Sequence, residues 1–112
     1  ADVLLDVRFL PNPHFIPELR KFNGMDRPVI DYLEKSGEVQ EAISRFTDLL
    51  AYLLPRFERE GKSYLTIGIG CTGGRHRSVM VAESLKKELI ELGHKATVTH
   101  RDIEKEPERY RR

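Results

Sequence analysis

Residues 67–78, IGIGCTGGRHRS, decide how the rest of the chain is interpreted. An apolar run of strand length ends at Cys71, two glycines and three basic residues follow, and Ser78 opens a helical pattern. Gly73 and Gly74 allow the backbone to approach a ligand closely. The first turn of the next helix offers unpaired N–H groups and a partial positive charge. The stretch therefore predicts a loop that binds an anion, above all a phosphate.

Basic side chains of the same loop favour this interpretation. Arg77 offers a planar fork that can pair bidentately with a phosphate, while Arg75 and His76 add positive potential. The alternative is a Gly-rich turn between a strand and a helix, with solvated arginines. We favour the anion loop because glycines, basic residues and a helix start coincide within residues 71–78.

The stretch also fits C-x5-R-[ST], the pattern of cysteine-dependent phosphatases. In that chemistry Cys71 is the nucleophile, as a thiolate whose pKa is lowered by the helix start and the arginines. Arg77 holds the phosphoryl oxygens, Ser78 assists the leaving thiol, and Asp6 or Asp102 protonates the leaving oxygen. This is the alternative function that the residues leave open.

Two features count against a nucleophilic cysteine. The phosphatase signature usually has histidine before the cysteine, and here the residue is Gly70. No acid lies in an obvious mobile loop flanked by glycine or proline. We therefore favour Cys71 as a small buried residue at the end of a strand, and we expect no catalytic residue in this chain.

Alternating strand and helix patterns extend from the loop in both directions. Apolar runs predict strands, apolar spacing of three and four residues predicts helices, and three prolines predict a loop at 11–17. The predicted strands are 3–9, 63–71 and 95–101, and the predicted helices are 27–37, 38–60 and 78–92. We expect Pro55 to kink the second helix or weaken its last turn, and Gly61 and Gly93 to end helices.

Strands that alternate with helices predict the α/β class, with crossovers that make the sheet mainly parallel. We expect a small sheet of three or four strands flanked by helices. Parallel strands place their carboxyl ends on one edge, which is the usual binding edge of an open α/β sheet. Asp6, Arg8, Cys71 and residues 100–102 should meet there.

Length and composition restrict the class of protein. The chain has 112 residues, a net charge of +1 and one cysteine, which fits a single domain over residues 1–112 in a reducing compartment. No apolar stretch reaches the ~20 residues of a membrane span, so we predict a cytoplasmic protein without a membrane partner. Four histidines and one cysteine show no zinc spacing, and we expect no metal. The strand pattern directly after Ala1 indicates a domain cut from a longer polypeptide.

Three separate segments resemble the C-terminal domain of the bacterial RapZ/YvcJ family, whose best-known member is an RNase adapter. They are DVRFLPNPHFIPELR at 6–20, IGIGCTGGRHRSV at 67–79 and VTHRDIEK at 98–105. The resemblance runs from about Leu5 to Lys105 and keeps the order of the segments. It implies a subdomain similar to one of phosphofructokinase, and a full-length protein that forms homo-oligomers.

The resemblance also implies a division of labour. The family's N-terminal domain binds ATP or GTP through a Walker motif and can carry weak NTPase activity. This chain has no G-x-x-x-x-G-K-[ST], so we expect no nucleotide cofactor in it. The C-terminal domain of the adapter binds small regulatory RNA and senses glucosamine-6-phosphate, and an RNase is a further candidate partner.

Site residues follow from the resemblance, position by position. The sugar-phosphate pocket that the family implies comprises Asp6, Cys71, Thr72, Gly73, Gly74, His76 and Arg77, to which the chemistry of the loop adds Arg75 and Ser78. The implied RNA contacts are Arg8, Asn12, His14, His76 and Arg77, with Arg109, Arg111 and Arg112 of the tail as sequence-independent phosphate contacts.

Some of these residues have simpler interpretations. Asp6 can bind a hydroxyl or an amine, or it can be an acid at a strand end paired with Arg8. His14 and His100 are each, alone, more often surface or capping residues than ligands. The tail arginines can equally be a solvated end.

Three functions remain in order of preference. The first is a regulatory binding module for a sugar phosphate and RNA. The second is a cysteine-dependent phosphatase, and the third is an oligomerisation domain whose loop binds anions incidentally.

Overall fold

The computed structural model describes residues 2–62, 64–70 and 76–98. Within them, two strands and three α-helices follow one another along the chain. The strands are β1 (Val3–Asp6) and β2 (Ile67–Gly70), and the helices are α1 (Arg27–Glu34), α2 (Gly37–Arg59) and α3 (Arg77–Glu91). There are also two short 3-10 helices, Pro13–Phe15 and Pro17–Leu19. The first lies within the segment 11–17 in which three prolines predicted a loop, and the second begins at the last residue of that segment.

Residues typical of helix ends flank α2 and follow α3. The hydroxyl of Ser36 accepts a hydrogen bond from the amide of Val39 at the start of α2. Gly61 and Gly93 follow α2 and α3 with φ of +90° and +94°, the left-handed conformation that glycine adopts most readily. Pro55 lies inside α2, and the helix nevertheless continues to Arg59. All three predicted helices are confirmed.

The two strands form a parallel sheet with Val3 opposite Ile67 and Asp6 opposite Gly70. Both strands are shorter than the apolar runs at 3–9 and 63–71 predicted. The crossover between them contains α1 and α2, in keeping with the long connection that parallel strands require. The class is therefore α/β, as predicted.

The prediction of a three- or four-stranded sheet is wrong for the described residues, which form two strands. Residues 95–98 of the predicted third strand have no strand structure, and residues 99–101 lie outside the described residues. In residues 95–98 exposed and half-buried side chains alternate, as in a strand. Alternation alone does not make a strand, because a strand also needs a backbone partner.

The core lies between one face of the sheet and the helices. Leu5 is buried on that face with Val3, Ile67 and Ile69 half-buried, whereas Leu4 on the other face is 74% exposed. α2 packs against α1 and α3, and α3 packs against β2. The largest fully buried side chains are Leu33, Leu50, Val7, Val29, Val39, Val79, Val81 and Pro13. Within the described ranges, no helix combines the length and apolar character needed to cross a membrane.

Candidate functional site

The carboxyl ends of β1 and β2 lie side by side. Asp6, the last residue of β1, is opposite Gly70, the last residue of β2. The amide of Val7 extends the pairing by donating to the Gly70 carbonyl at 2.8 Å. In sequence, the predicted anion loop begins directly after Gly70, the residue opposite Asp6. Residues 71–75 lie outside the described residues, as do His100, Asp102 and the tail arginines Arg109, Arg111 and Arg112.

Asp6 and Arg8 form an ion pair at this edge. The Arg8 Nη2 lies 2.7 Å from Asp6 Oδ2, and the Arg8 amide and Nε also donate to the carboxylate. These hydrogen bonds, the guanidinium first, lower the pKa of Asp6, and the pair raises the pKa of Arg8. Both side chains are at least half exposed, so solvent screens the pair and a ligand can compete for either partner.

Arg77 is the first residue of α3, and its side chain is buried. The residue is only 3% exposed. Its Nη1 donates to the carbonyl of Arg8 at 2.6 Å and to that of Leu10 at 3.1 Å. The guanidinium thus fastens the segment after β1 to the start of α3. The sequence predicted Arg77 as a contact to phosphate and to RNA, and it gave no indication of these two bonds.

Arg77 forms no ion pair with an acidic side chain among the described residues. The ion pairs found there involve other residues, and the buried Nε of Arg77 finds no hydrogen-bond acceptor there either. The cation does act on Asp6, whose pKa it lowers in addition to the larger effect of Arg8. The hydrogen-bond acceptors of the Arg77 guanidinium are neutral carbonyls, so its positive charge adds to the potential at this edge.

The start of α3 favours an anion for a second reason. His76 is the N-cap residue, its side chain does not cap the helix, and the first turn contains no acidic residue. His76 and Ser78 are both buried, at 6% and 8% exposed. The first N–H groups of a helix have no partner within the helix, and together with the helix dipole they attract negative charge.

Asn12 and His14, two of the predicted RNA contacts, have mainly local hydrogen bonds. Asn12 Oδ1 accepts from the amide of His14 at 3.0 Å and caps the first 3-10 helix. The carbonyl of His14 accepts from Arg20 Nε at 2.7 Å. The His14 side chain is exposed and the Asn12 side chain half-buried, so His14 is the more accessible of the two.

Gly24 is a neighbour of the site that the sequence did not single out. It is buried against the first turn of α3, close to the backbone of His76 and Met80. The dipeptide Asn23-Gly24 is a turn signal, but a turn signal does not reveal what the turn packs against.

Among the described residues, no group of three or more His, Cys, Asp and Glu side chains could hold a metal ion. The arrangement is suited to holding an anion.

Comparison with known proteins gives a consistent family. A family model described as the RapZ C-terminal domain matches residues 1–104. A nucleotide-binding protein of Koribacter versatilis is 56% identical over 105 residues, which cover 94% of this chain and 34% of the relative. One from Geobacter sulfurreducens is 51% identical over 105 residues, covering 94% and 37% of the two chains. One from Rhodospirillum rubrum is 53% identical over 107 residues, covering 96% and 34%. The chain spans about a third of the length of these relatives.

Proposed function

Because the chain belongs to the RapZ C-terminal domain family, we propose that it is a non-catalytic regulatory module that binds a phosphorylated amino sugar, such as glucosamine-6-phosphate, and small regulatory RNA. The observation that carries the proposal is Arg77, a guanidinium 3% exposed at the start of α3 with no acidic partner among the described residues. Burying a charge without a counterion is costly, and a phosphate at this helix start supplies the counterion.

The amino sugar is favoured by what lies beside the cation. Asp6 is half exposed and ends β1 opposite Gly70, the residue that precedes the predicted anion loop in sequence. A carboxylate accepts hydrogen bonds from hydroxyl and ammonium groups, and charged pairs of this kind are the stronger hydrogen bonds. A ligand with a phosphate at one end and an amine or hydroxyls at the other therefore matches an edge that carries both the Arg77 guanidinium and the Asp6 carboxylate.

RNA is the second proposed ligand of the same edge. Arg8 is 67% exposed there, and exposed arginines are common contacts to phosphate backbones. His14 is also exposed and is a further RNA contact in this proposal. The net charge of the chain is only +1, so we expect modest affinity for the isolated chain. The tail arginines Arg109, Arg111 and Arg112 add sequence-independent phosphate contacts in this proposal.

The remaining parts of the proposal concern the longer protein. The relatives are named nucleotide-binding proteins, and we place ATP or GTP binding in the portion that this chain does not include, with no cofactor here. We further propose a topology similar to a phosphofructokinase subdomain, a cytoplasmic location, a homo-oligomeric full-length protein and an RNase as a partner.

Calorimetric titration tests the sugar phosphate. Glucosamine-6-phosphate is compared with inorganic phosphate, glucosamine and glucose-6-phosphate, each titrated into the 112-residue chain. We expect the amino-sugar phosphate to bind most tightly, since it alone provides both charged groups. At about a hundred times its dissociation constant it should stabilise the fold by roughly 2.7 kcal/mol. Equal affinities for glucosamine and glucosamine-6-phosphate would remove the phosphate from the argument.

A competition experiment tests whether RNA uses the same edge. A labelled structured RNA is titrated with the chain at several salt concentrations, with and without glucosamine-6-phosphate. For single-stranded RNA, we expect the logarithm of the association constant to fall by about 0.7 per phosphate contact for each tenfold increase in salt concentration. Glucosamine-6-phosphate should raise the apparent dissociation constant of the RNA. Simultaneous binding with unchanged affinities contradicts the shared edge and leaves the sugar-phosphate proposal standing.

A further inference from the structure

The turn formed by residues 23–26, called the 23–26 turn below, lies directly against the start of α3. We propose that Gly24 in this turn is a positioning residue for the anion site: it sets where the first turn of α3 stands and thereby how tightly an anion binds. The inference rests on the proposed anion site at α3. It adds a residue that lies far from residues 71–78 in sequence and makes no contact with the ligand in the proposal.

The 23–26 turn is held by its own side chains. Asn23 Oδ1 accepts from the amide of Met25 at 2.7 Å, and Asp26 Oδ2 accepts from the amide of Asn23 at 2.8 Å. The amide of Asp26 donates to the Asn23 carbonyl at 3.0 Å. Asp26 is the N-cap residue of α1, yet its side chain makes no capping bond there. The turn is therefore a preformed unit that can act as a platform for another element.

A glycine is required at position 24 because there is no space for a side chain, and not because of the backbone conformation. A Cβ at this position would overlap the carbonyl oxygen of His76 and lie 2.6 Å from Met80 N and 2.8 Å from Val79 Cβ. The φ of Gly24 is not among the positive values of the described residues, which belong to Gly61 and Gly93. The chain thus uses glycine here because two backbones touch.

The atoms in contact belong to the first hydrogen bond of α3. The amide of Met80 donates to the carbonyl of His76 at 3.0 Å, and Gly24 lies against both groups. Backbone atoms cannot rotate away as the end of a flexible side chain can. An added methyl group must therefore displace either the 23–26 turn or the first turn of α3.

Such a displacement changes the directions in which the backbone N–H groups of the proposed site point. An anion at a helix start is held by backbone N–H groups, and hydrogen bonds weaken steeply as their geometry departs from linear. The amides of Arg77, Ser78 and Val79 belong to the turn that Gly24 supports. Shifting them weakens anion binding without altering any group that touches the ligand.

The experiment compares the same substitution at two glycines of the 112-residue chain. Gly24→Ala introduces the overlap, whereas Gly37→Ala at the start of α2 places its Cβ in open space, with nothing within 4 Å. Inorganic phosphate is titrated into each variant at a temperature where circular dichroism shows both folded. We expect Gly24→Ala to weaken phosphate binding about tenfold or more, comparable to losing one hydrogen bond to a charged group, and Gly37→Ala to leave it unchanged.

Amide NMR spectra separate positioning from a general loss of stability. In Gly24→Ala without phosphate, the amide signals of residues 77–80 should shift more than those of α2, and the shifts that phosphate causes in wild type should be reduced. A variant that is merely less stable binds phosphate normally in its folded fraction. Wild-type affinity in folded Gly24→Ala would therefore overturn the positioning role while the proposed function stands.

Two further outcomes are a wild-type chain that does not bind phosphate and a Gly24→Ala variant that does not fold. If the wild-type chain does not bind phosphate, the proposed function fails and the inference fails with it. If Gly24→Ala does not fold, Asn23→Ala replaces it, since this change removes the Oδ1 acceptor of the 23–26 turn without adding an atom. We expect Asn23→Ala to weaken phosphate binding about twofold to fivefold, a part of the effect of one hydrogen bond. Unchanged binding in that variant overturns the inference.

Discussion

The start of α3 and the exit of β1 form two halves of one edge, and they are built in opposite ways. At the start of α3, His76, Arg77 and Ser78 are buried at 6%, 3% and 8% exposed. At the exit of β1, Asp6 and Arg8 have side chains 50% and 67% exposed and are paired with each other. Each half contains an arginine, but only Arg8, which follows β1, forms an ion pair with an acidic side chain among the described residues.

The difference indicates which half fixes the geometry and which half can respond to a ligand. Arg77 is tied to two carbonyls and lies in a first turn that packs against Gly24, so its position is determined by several neighbours. The ion pair of Asp6 and Arg8 is screened by solvent and contributes little to stability. Either side chain can therefore exchange its partner in the pair for a ligand group with little loss of folding free energy.

The largest expected effect is a difference in stability between a variant of Arg77 and a variant of Arg8. Arg77→Met keeps much of the apolar volume but removes both hydrogen bonds to the Arg8 and Leu10 carbonyls. We expect the free energy of unfolding, from urea titration, to fall by about 3 kcal/mol, the lower range for two hydrogen bonds to a charged group. The matched variant Arg8→Met should change the urea midpoint far less, because its pair is exposed. Similar losses in the two variants would erase the distinction.

The next effect concerns Asp6 as a ligand group. Asp6→Asn retains the shape of the side chain and removes its charge. We expect glucosamine-6-phosphate to bind about tenfold more weakly, a loss of about 1.4 kcal/mol for one charged hydrogen bond. Inorganic phosphate should bind at least as tightly as before, since a neighbouring negative charge has gone. Calorimetric titration of both ligands measures this, and a parallel loss for both would mean that Asp6 acts only on the structure of the edge.

A smaller effect follows from the pKa of Asp6. Hydrogen bonds from Arg8 lower this pKa in the folded chain. The pair therefore stabilises the fold above the pKa of the unfolded carboxyl, ~3.9, and the contribution is lost as pH falls through the lower folded-state pKa. We expect NMR titration of the Asp6 carboxyl to show the lowered pKa in wild type and a return towards the ordinary value in Arg8→Met. Arg45→Met removes a comparable exposed pair with Glu41 on α2 and should leave the Asp6 titration unchanged.

The smallest expected effect is that of Cys71→Ser. If the edge binds and does not catalyse, the chain should not hydrolyse p-nitrophenyl phosphate at a rate that this substitution abolishes. Robust turnover in wild type that disappears in Cys71→Ser would establish the phosphatase. A low thiol pKa alone does not decide the matter, because positive potential near the loop lowers it in a binding site as well.

Local pattern predicted the helices well, because helix formation follows residues that are close in sequence. The apolar spacing from Val39 to Phe57 placed α2, and Gly61 and Gly93 marked the ends of α2 and α3. The strands were predicted less well. Residues 95–98 carry the alternation of a strand but form no strand with any other described segment, since pairing depends on a partner distant in sequence.

The same division applies to the candidate site. Asp6, Arg8, Cys71 and residues 100–102 were expected at one edge. The parallel pairing of β1 with β2 places Asp6 opposite Gly70 at that edge, whereas Cys71 and residues 100–102 lie outside the described residues. The hydrogen bonds of Arg77 to residues 69 and 67 positions away, and the contact of Gly24 with α3, were not predicted. No local pattern encodes a contact between a side chain and a remote carbonyl.

The sequence by itself determined the α/β class, the three helices with their end signals, the position of a glycine-rich and basic stretch between a strand and a helix, and the family. Only the tertiary structure decided that Arg77 is buried against the segment after β1, that Asp6 pairs with Arg8 at an exposed surface, and that Gly24 supports the first turn of α3. The physical reason is that periodicity and capping arise from neighbours within a few residues. Burial, ion pairing and backbone contact arise from segments that the fold brings together from distant parts of the chain.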